Sequence, residues 1–174
     1  MFSDLLDGTT ITAKSPDGKI ECELADGRDV VMDFAPGSYH EYTEREMEHQ
    51  LARLVTAMWV GHRRGHLAVL SERLGYPVRG EPTEMGLRER EFANRRAQIT
   101  AEGRSASGRI VLSTTGMTRW DVRIKPGAIR EADEDSFLHD LWSAFLAMMR
   151  EHQRRVAMLQ DEIFDVSGRG RFPR

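Results

Sequence analysis

The stretches "DFAPGSYHEYTEREMEHQL" (33–51) and "RIKPGAIREADEDSFLHDL" (123–141) lie ninety positions apart and share one plan. Each begins at the end of an alternating run, passes through Pro-Gly, and enters an acidic segment that leads into an apolar pattern of helical period. Proline cannot donate to a strand ladder, and glycine supplies the backbone freedom of a turn. The pair therefore predicts, twice, a strand that ends in a turn and is followed by a helix.

The likeness extends well beyond these two stretches. A shift of ninety aligns residues 15–64 with 105–154 without a gap, and thirteen of the fifty positions are identical, where ordinary composition gives roughly three. The identities include turn residues as well as helix residues, so we infer an internal duplication. The first-copy members of the identical pairs are Ser15, Gly18, Ile20, Pro36, Gly37, Glu41, Glu44, His49, Leu51, Ala57, Met58, His62 and Arg64.

Each copy has the pattern β-β-β-α. Short first strands, "TTITAK" and "QITAEG", lead into second strands with alternating apolar residues, and the third strands "DVVMDF" and "WDVRI" stop before Pro36 and Pro126. We predict an α+β fold of two tandem units, each an antiparallel meander plus a long helix, that together form a pseudo-dimer. The predicted segments are a first repeat over 1–76, a linker over 77–87, a second repeat over 88–166 and a basic, disordered tail over 167–174.

The helix that ends each copy is long and carries a start signal. Thr43 and Glu46 form a capping-box pattern, Asp133 is the corresponding N-cap, and the first helix is predicted from Thr43 to Leu74, about 48 Å. Apolar residues of the second helix follow a heptad-like stripe, the helix seam, which predicts packing against a long partner helix. Its members are Phe137, Leu141, Phe145, Met148, His152, Val156, Leu159 and Ile163.

Composition limits the protein class. A net charge of −3 gives no general attraction to nucleic acid, so such binding would need local patches. The single cysteine, Cys22, fits a reducing compartment, and neither a signal peptide nor an apolar run long enough to span a membrane is evident. We expect a cytoplasmic protein without a membrane association.

The stretch "SASGRIVLSTTGMTRWDVRIKPGAIREADEDSFLHDLWSAFLAMMRE" (105–151) resembles the YbaB/EbfC nucleoid-associated family, and residues 15–64 resemble a more divergent copy. The resemblance implies a subunit that dimerises into a tweezer-like shape and binds duplex DNA with little sequence preference, in the nucleoid. Usual members are single-copy, whereas two copies here could pair within one chain or dimerise again. Actinobacterial relatives of the fold resemble helpers of type VII secretion, which implies the alternative of a protein-interaction role without DNA.

Arginines on and beyond the helices are the candidate phosphate ligands. Their neutralisation of phosphates would make binding strongly salt-dependent, although acidic residues share these helices and a solvated face is the alternative. The DNA hypothesis requires the arginine pairs to converge on one face, with Glu44 and Glu48 pointing away. The candidates are Arg63, Arg64, Arg154, Arg155, Arg95, Arg96, Arg169 and Arg171, with Arg174 in the same tail.

No catalytic or metal motif stands out. His62 and His66 have a zinc-compatible spacing, but adjacent arginines would repel a cation, so we expect neither metal nor cofactor. Cys22 lies on the apolar parity of a strand and is expected to be buried, so we expect no enzymatic activity. Tryptophans and methionines at helical core positions could instead form an interface, and the interaction hypothesis predicts an exposed apolar stripe.

Overall fold

The computed structural model describes residues 10–25, 29–76 and 86–164. It confirms the α+β prediction: two three-stranded antiparallel sheets, each in the order of the sequence, are each followed by a long helix. The first unit contains β1 (Thr10–Lys14), β2 (Ile20–Ala25), β3 (Asp29–Phe34) and α1 (Glu44–Leu74). The second contains α2 (Leu87–Arg96), β4 (Thr100–Arg104), β5 (Ile110–Thr115), β6 (Arg119–Ile124), α3 (Ala128–Glu131) and α4 (Glu134–Phe164).

The internal duplication is visible in the bounds of the secondary-structure elements. Each strand and each long helix of the second unit begins and ends ninety positions after its counterpart, and strand register is preserved, with Ile20 opposite Phe34 and Ile110 opposite Ile124. The turn glycines Gly18 and Gly108 both have a φ near +74°, which L side chains rarely adopt. The two units are therefore built on one backbone plan.

Both long helices begin with the predicted caps. The Thr43 hydroxyl accepts from the Glu46 N–H while the Glu46 carboxylate accepts from the Thr43 N–H, so the capping box is confirmed. The Asp133 carboxylate accepts from the Ser136 N–H at 2.7 Å. These bonds satisfy backbone donors that a helix leaves free in its first turn.

The two units share one hydrophobic core. Phe34, Tyr39 and Phe137 form an aromatic cluster that joins the first unit to α4, and the Tyr39 hydroxyl donates to the Ala132 carbonyl at 3.1 Å. A short 3₁₀ turn (Tyr39–Glu41) packs on its counterpart α3. Equivalent elements of the two units are therefore in contact at this point.

The two long helices are placed differently, which breaks the pseudo-symmetry. Helix α1 packs on β6 of the other unit and on β1 and β2 of its own, whereas α4 packs on β4 and β5 of its own unit and on α2. The sequence predicts a long partner helix for the α4 helix seam, whereas within the described chain α4 packs on β4, β5 and the short helix α2. The seam is covered by a sheet and a short helix, and within the described residues neither long helix packs extensively on β3.

Two glycines set the helix positions. A β-carbon at Gly103 of β4 would lie 2.2 Å from the Ala144 carbonyl oxygen and the Met148 nitrogen, so α4 rests directly on the strand backbone. In the first unit the close approach comes from the helix, where a β-carbon at Gly61 would meet the Ile11 methyl at 2.7 Å. The sequence therefore holds α4 closely on its own sheet.

Across the described ranges, none of the helices has the length and apolar character needed to cross a lipid bilayer.

A candidate apolar binding cleft

An apolar cavity of about 370 Å³ is lined by residues of β3, α1 and α4 and by the inner faces of β2, β5 and β6, and we call it the β3–α4 cleft. It reaches the surface beside Val31 and Trp142, whose side chains are 56% and 37% exposed. Its volume is in the range of small-molecule and anchor-residue pockets. It is lined by Cys22, Leu24, Val30, Val31, Met32, Leu54, Val55, Met58, Trp59, His62, Leu112, Trp120, Leu138, Leu141, Trp142 and Phe145.

All three tryptophans of the chain line the cleft. Trp59 and Trp120 approach to 6.1 Å between ring centroids, and Trp142 stacks on Phe145 at 5.4 Å. The Trp120 indole N–H is buried and has no hydrogen-bond partner among the described residues. These rings form an aromatic wall of the cleft.

Burial favours the neutral forms of the titratable groups in the cleft. Burial lowers the pKa of His62, with a further contribution from His66, and His62 stacks on Trp59 at 5.4 Å. Burial also raises the pKa of the Cys22 thiol to about 11. Because no Asp, Glu, Lys or Arg among the described residues lines the cleft, it favours uncharged apolar groups.

The two third strands differ in their contacts with the long helices. At β6, the Glu48 carboxylate of α1 accepts from the Ile124 N–H at 2.7 Å, and Glu44 accepts from the Gly127 N–H at 2.9 Å. At β3, the position equivalent to Glu48 is Leu138, which cannot accept a hydrogen bond. Helix α1 is thus bonded to the β6 edge, while α4 stands away from the β3 edge.

The predicted arginines of α2 and α4 are exposed and largely paired. Glu151 binds both Arg154 and Arg155, at 2.8 and 2.6 Å, and Glu162 binds Arg95 at 2.8 Å. Arg96 lies over the ring of Phe92 on its own helix. Arg95 and Arg155 line one shallow depression between α2 and α4, so the structure brings these predicted residues to one region.

The other candidates are not part of that region. Arg63 and Arg64 are exposed on α1 and form no ion pair with a described residue. Arg169 and Arg171, together with Arg174, lie outside the described residues, as do most of the predicted linker and the whole predicted tail. Glu44 and Glu48 point into the β6 end of the second unit, as their hydrogen bonds require.

The histidine pair on α1 lies beside the cleft. His66 has a buried Nδ1 without a hydrogen-bond partner in the described chain, and His62 is half-buried. Among the residues that the structure describes, no group of three or more His, Cys, Asp or Glu side chains is placed to hold a metal ion. The His62 imidazole stacks on Trp59, and burial lowers its pKa.

Sequence reasoning missed the cleft and the residues that shape it. Glu48 and Leu138 occupy equivalent positions in the two copies, as do Ala13 and Gly103, and the residue type differs within each pair. Comparing the two copies position by position at the helix–strand contacts would have found both. The buried Asp140, which accepts from the Ser107 hydroxyl and Arg109, was also missed, and it fixes the β4–β5 turn to α4.

Comparison of this chain with protein-family profiles, with curated proteins and with solved structures finds no match.

Proposed function

We propose that this chain is a non-catalytic interaction module that binds a protein partner at the β3–α4 cleft. The observation that carries the proposal is the apolar cavity of about 370 Å³, open to the surface beside Val31 and Trp142. Large apolar groups grouped at a surface mark binding sites, and tryptophan and methionine are enriched at protein interfaces. The resemblance to secretion-associated relatives suggests type VII secretion as the setting.

The chemistry of the cleft supports binding over catalysis. Its titratable lining consists of the His62 imidazole and the Cys22 thiol, and burial alone raises the pKa of that thiol. A catalytic cysteine has the opposite property, because a neighbouring cation or base lowers its pKa. The neutral thiol behaves as a small apolar side chain.

Photo-crosslinking from the rim tests the proposal. A photoreactive residue at Val31 should capture a protein in cells, whereas the same residue at Asp121, the equivalent position on β6, should not. Replacing Trp142 with serine should abolish the capture at Val31 because it removes a ring of the cleft. Equal capture at Asp121, or capture at Val31 that Trp142→Ser leaves unchanged, would contradict the proposal.

Duplex DNA is the second candidate, favoured by the gathering of Arg95, Arg96, Arg154 and Arg155 along α2 and α4. Glu151 and Glu162 hold three of these four side chains, so phosphates would have to displace carboxylates. The net charge of −3 adds no general attraction.

A mobility shift tests the DNA candidate. Binding of a duplex of about 40 bp should fall about tenfold or more between about 50 and about 200 mM salt, since released counterions drive the association. Arg154→Ala/Arg155→Ala should weaken it, and Arg119→Ala/Arg123→Ala on the second sheet is the matched control. Absence of a shift at micromolar protein in low salt would exclude this candidate.

A further inference from the structure

We propose that the partner binds as an extended strand added to the free edge of β3, with side chains that alternate between apolar and basic. The inference rests on the proposed function, because it specifies the partner of the same cleft. It makes the first sheet four-stranded in the complex. The added strand would lie between β3 and α4, where the cleft is open.

The backbone of β3 supports this inference. Strand β3 has β2 as its one strand neighbour in the described chain, and the Ala35 N–H donates to the Lys19 carbonyl at 2.7 Å. Hydrogen-bonded positions alternate along an antiparallel pair. The N–H and C=O groups of Val30, Met32 and Phe34 therefore point away from β2, and such an edge is a template for another strand.

The equivalent edge of β6 is not free to pair with an added strand. The Ile124 N–H is the counterpart of the outward Phe34 N–H, and it already donates to Glu48. Trp59 of α1 also packs on Trp120 at the other end of β6. One of the two equivalent edges is thus bonded to a helix of the chain, whereas the outward N–H groups of β3 have no hydrogen-bond partner among the described residues.

The cleft extends to the β3 edge itself. Side chains alternate between the faces of a sheet, so Val30 and Met32 point inward while Val31 points outward. A cavity lined by all three residues must extend around the edge of the strand. Alternate side chains of an added strand would therefore enter the apolar space beside Leu138 and Trp142.

The outer face of the same sheet is acidic, and this charge determines which outward side chains an added strand should carry. Asp29 and Asp33 flank Val31 on the exposed face of β3, and Glu21 and Glu23 extend the acidic surface on β2, with Lys14 paired to Glu21. Opposite charges on neighbouring strands stabilise a pair and like charges oppose it. The outward side chains of the added strand are therefore basic.

Charge also argues against a second copy of β3 as the added strand. Antiparallel self-pairing around Val31 would place Asp29 beside Asp33 of the other copy, which is unfavourable. At the occupied edge, the equivalent positions carry Arg119 and Arg123, so the two edges have opposite charges. The acidic charge is thus specific to the open edge.

Peptides on the full chain test the inference. A capped peptide of about seven residues that alternates lysine with valine should protect the Val30, Met32 and Phe34 amides from hydrogen exchange, with Ile124 as the internal reference. Its binding should change the fluorescence of the cleft tryptophans. The glutamate–valine peptide, and a lysine–valine peptide of shuffled order, are the controls and should not protect these amides at the same concentration.

A charge exchange provides the matched variants. Asp29→Arg/Asp33→Arg gives the open edge the charges of the occupied one, and both positions are exposed, so the fold should be unaffected. This double substitution should lower the affinity for the lysine–valine peptide by about three- to tenfold. It should raise the affinity for the glutamate–valine peptide by a similar factor, as expected for two exposed charge pairs. Arg119→Asp/Arg123→Asp at the occupied edge should change neither affinity.

Each of the following outcomes would overturn the inference, and together they distinguish its failure from failure of the proposed function. A tryptophan signal without amide protection would mean that the cleft takes a helix or a small apolar molecule, and equal protection by both peptides would refute the basic partner. Protection that rises with protein concentration without peptide would identify a second copy. If a protein is captured at Val31 but the peptide protects no amide, strand addition alone is refuted. If neither capture nor protection is seen, the proposed function is refuted too.

Discussion

Replacing Gly103 with alanine should separate α4 from its sheet. This glycine lies where β4 meets the backbone of α4, and an added β-carbon would lie 2.2 Å from the Ala144 oxygen and the Met148 nitrogen. Neither atom can rotate away, because both belong to the helix backbone. The helix must therefore move.

The size of the effect follows from these distances. Ordinary contacts of a β-carbon begin at 3.4 Å, so α4 must retreat from β4 by about 1.2 Å at this point. A gap of 0.5–1 Å already removes about a quarter to a half of the dispersion energy of each contact, and overpacking costs about 1–3 kcal/mol. We expect the free energy of unfolding to fall by about 3 kcal/mol, and the thermal midpoint by about 6–12 °C.

Gly61→Ala is the matched control. Its β-carbon would meet the Ile11 methyl at 2.7 Å, but that methyl ends a side chain that can adjust. Alanine is also favoured over glycine in a helix interior by about 1 kcal/mol. We therefore expect a change within about 1 kcal/mol of the unsubstituted chain.

Urea denaturation followed by circular dichroism and by fluorescence of the cleft tryptophans gives both free energies. A loss below about 1 kcal/mol for Gly103→Ala would refute the argument that α4 rests on the β4 backbone. Equal losses of unfolding free energy for the two variants would contradict the argument that backbone atoms beside Gly103 cost more than a side-chain methyl beside Gly61.

Three further predictions concern stability and reactivity. Thr43→Ala should cost about 1 kcal/mol in urea denaturation because it removes the N-cap of α1, whereas Thr43→Ser should cost much less. Hydrogen bonds from its own N–H and from Gly127 hold the pKa of Glu44 below 4.5, so its stabilising effect is complete above that pH and is lost as the pH falls through the lower folded value. Denaturation at neutral and acid pH should therefore show a smaller acid loss in Glu44→Gln, and an unchanged loss would contradict this cause. Because the pKa of Cys22 is about 11, a thiol reagent at pH 8 should modify the folded chain roughly a hundredfold more slowly than the urea-unfolded chain, and similar rates would show that the thiol is accessible.

The fold could be predicted from the sequence because its determinants are local and occur twice. The turn glycines, the two prolines after the third strands and the Thr43–Glu46 capping box act over a few residues, and each has a counterpart ninety positions away. The helix seam also identified which face of α4 is buried. It could not identify what covers that face, because a sheet and a helix accept the same apolar stripe.

The cleft could not be predicted because it depends on the distance between elements far apart in the sequence. It requires α1 to be bonded to β6 through Glu48 and α4 to be held on β4 at Gly103, so that space remains beside β3. The arginine candidates on the described helices are exposed, and their role in DNA binding stays a prediction. Their pairing with Glu151 could have been anticipated, since Arg154 and Arg155 lie three and four residues further along the same helix.

The difference between Glu48 and Leu138 also bears on how many partner strands one chain can bind. Two identical subunits related by a two-fold axis would carry the same residue at both positions, so both third strands would be bonded or both would be open. Two units joined in one polypeptide can differ, and here one edge is bonded and its equivalent is free. We therefore expect a partner that adds to β3 to bind with a stoichiometry of one per chain, since the equivalent β6 edge is bonded to Glu48.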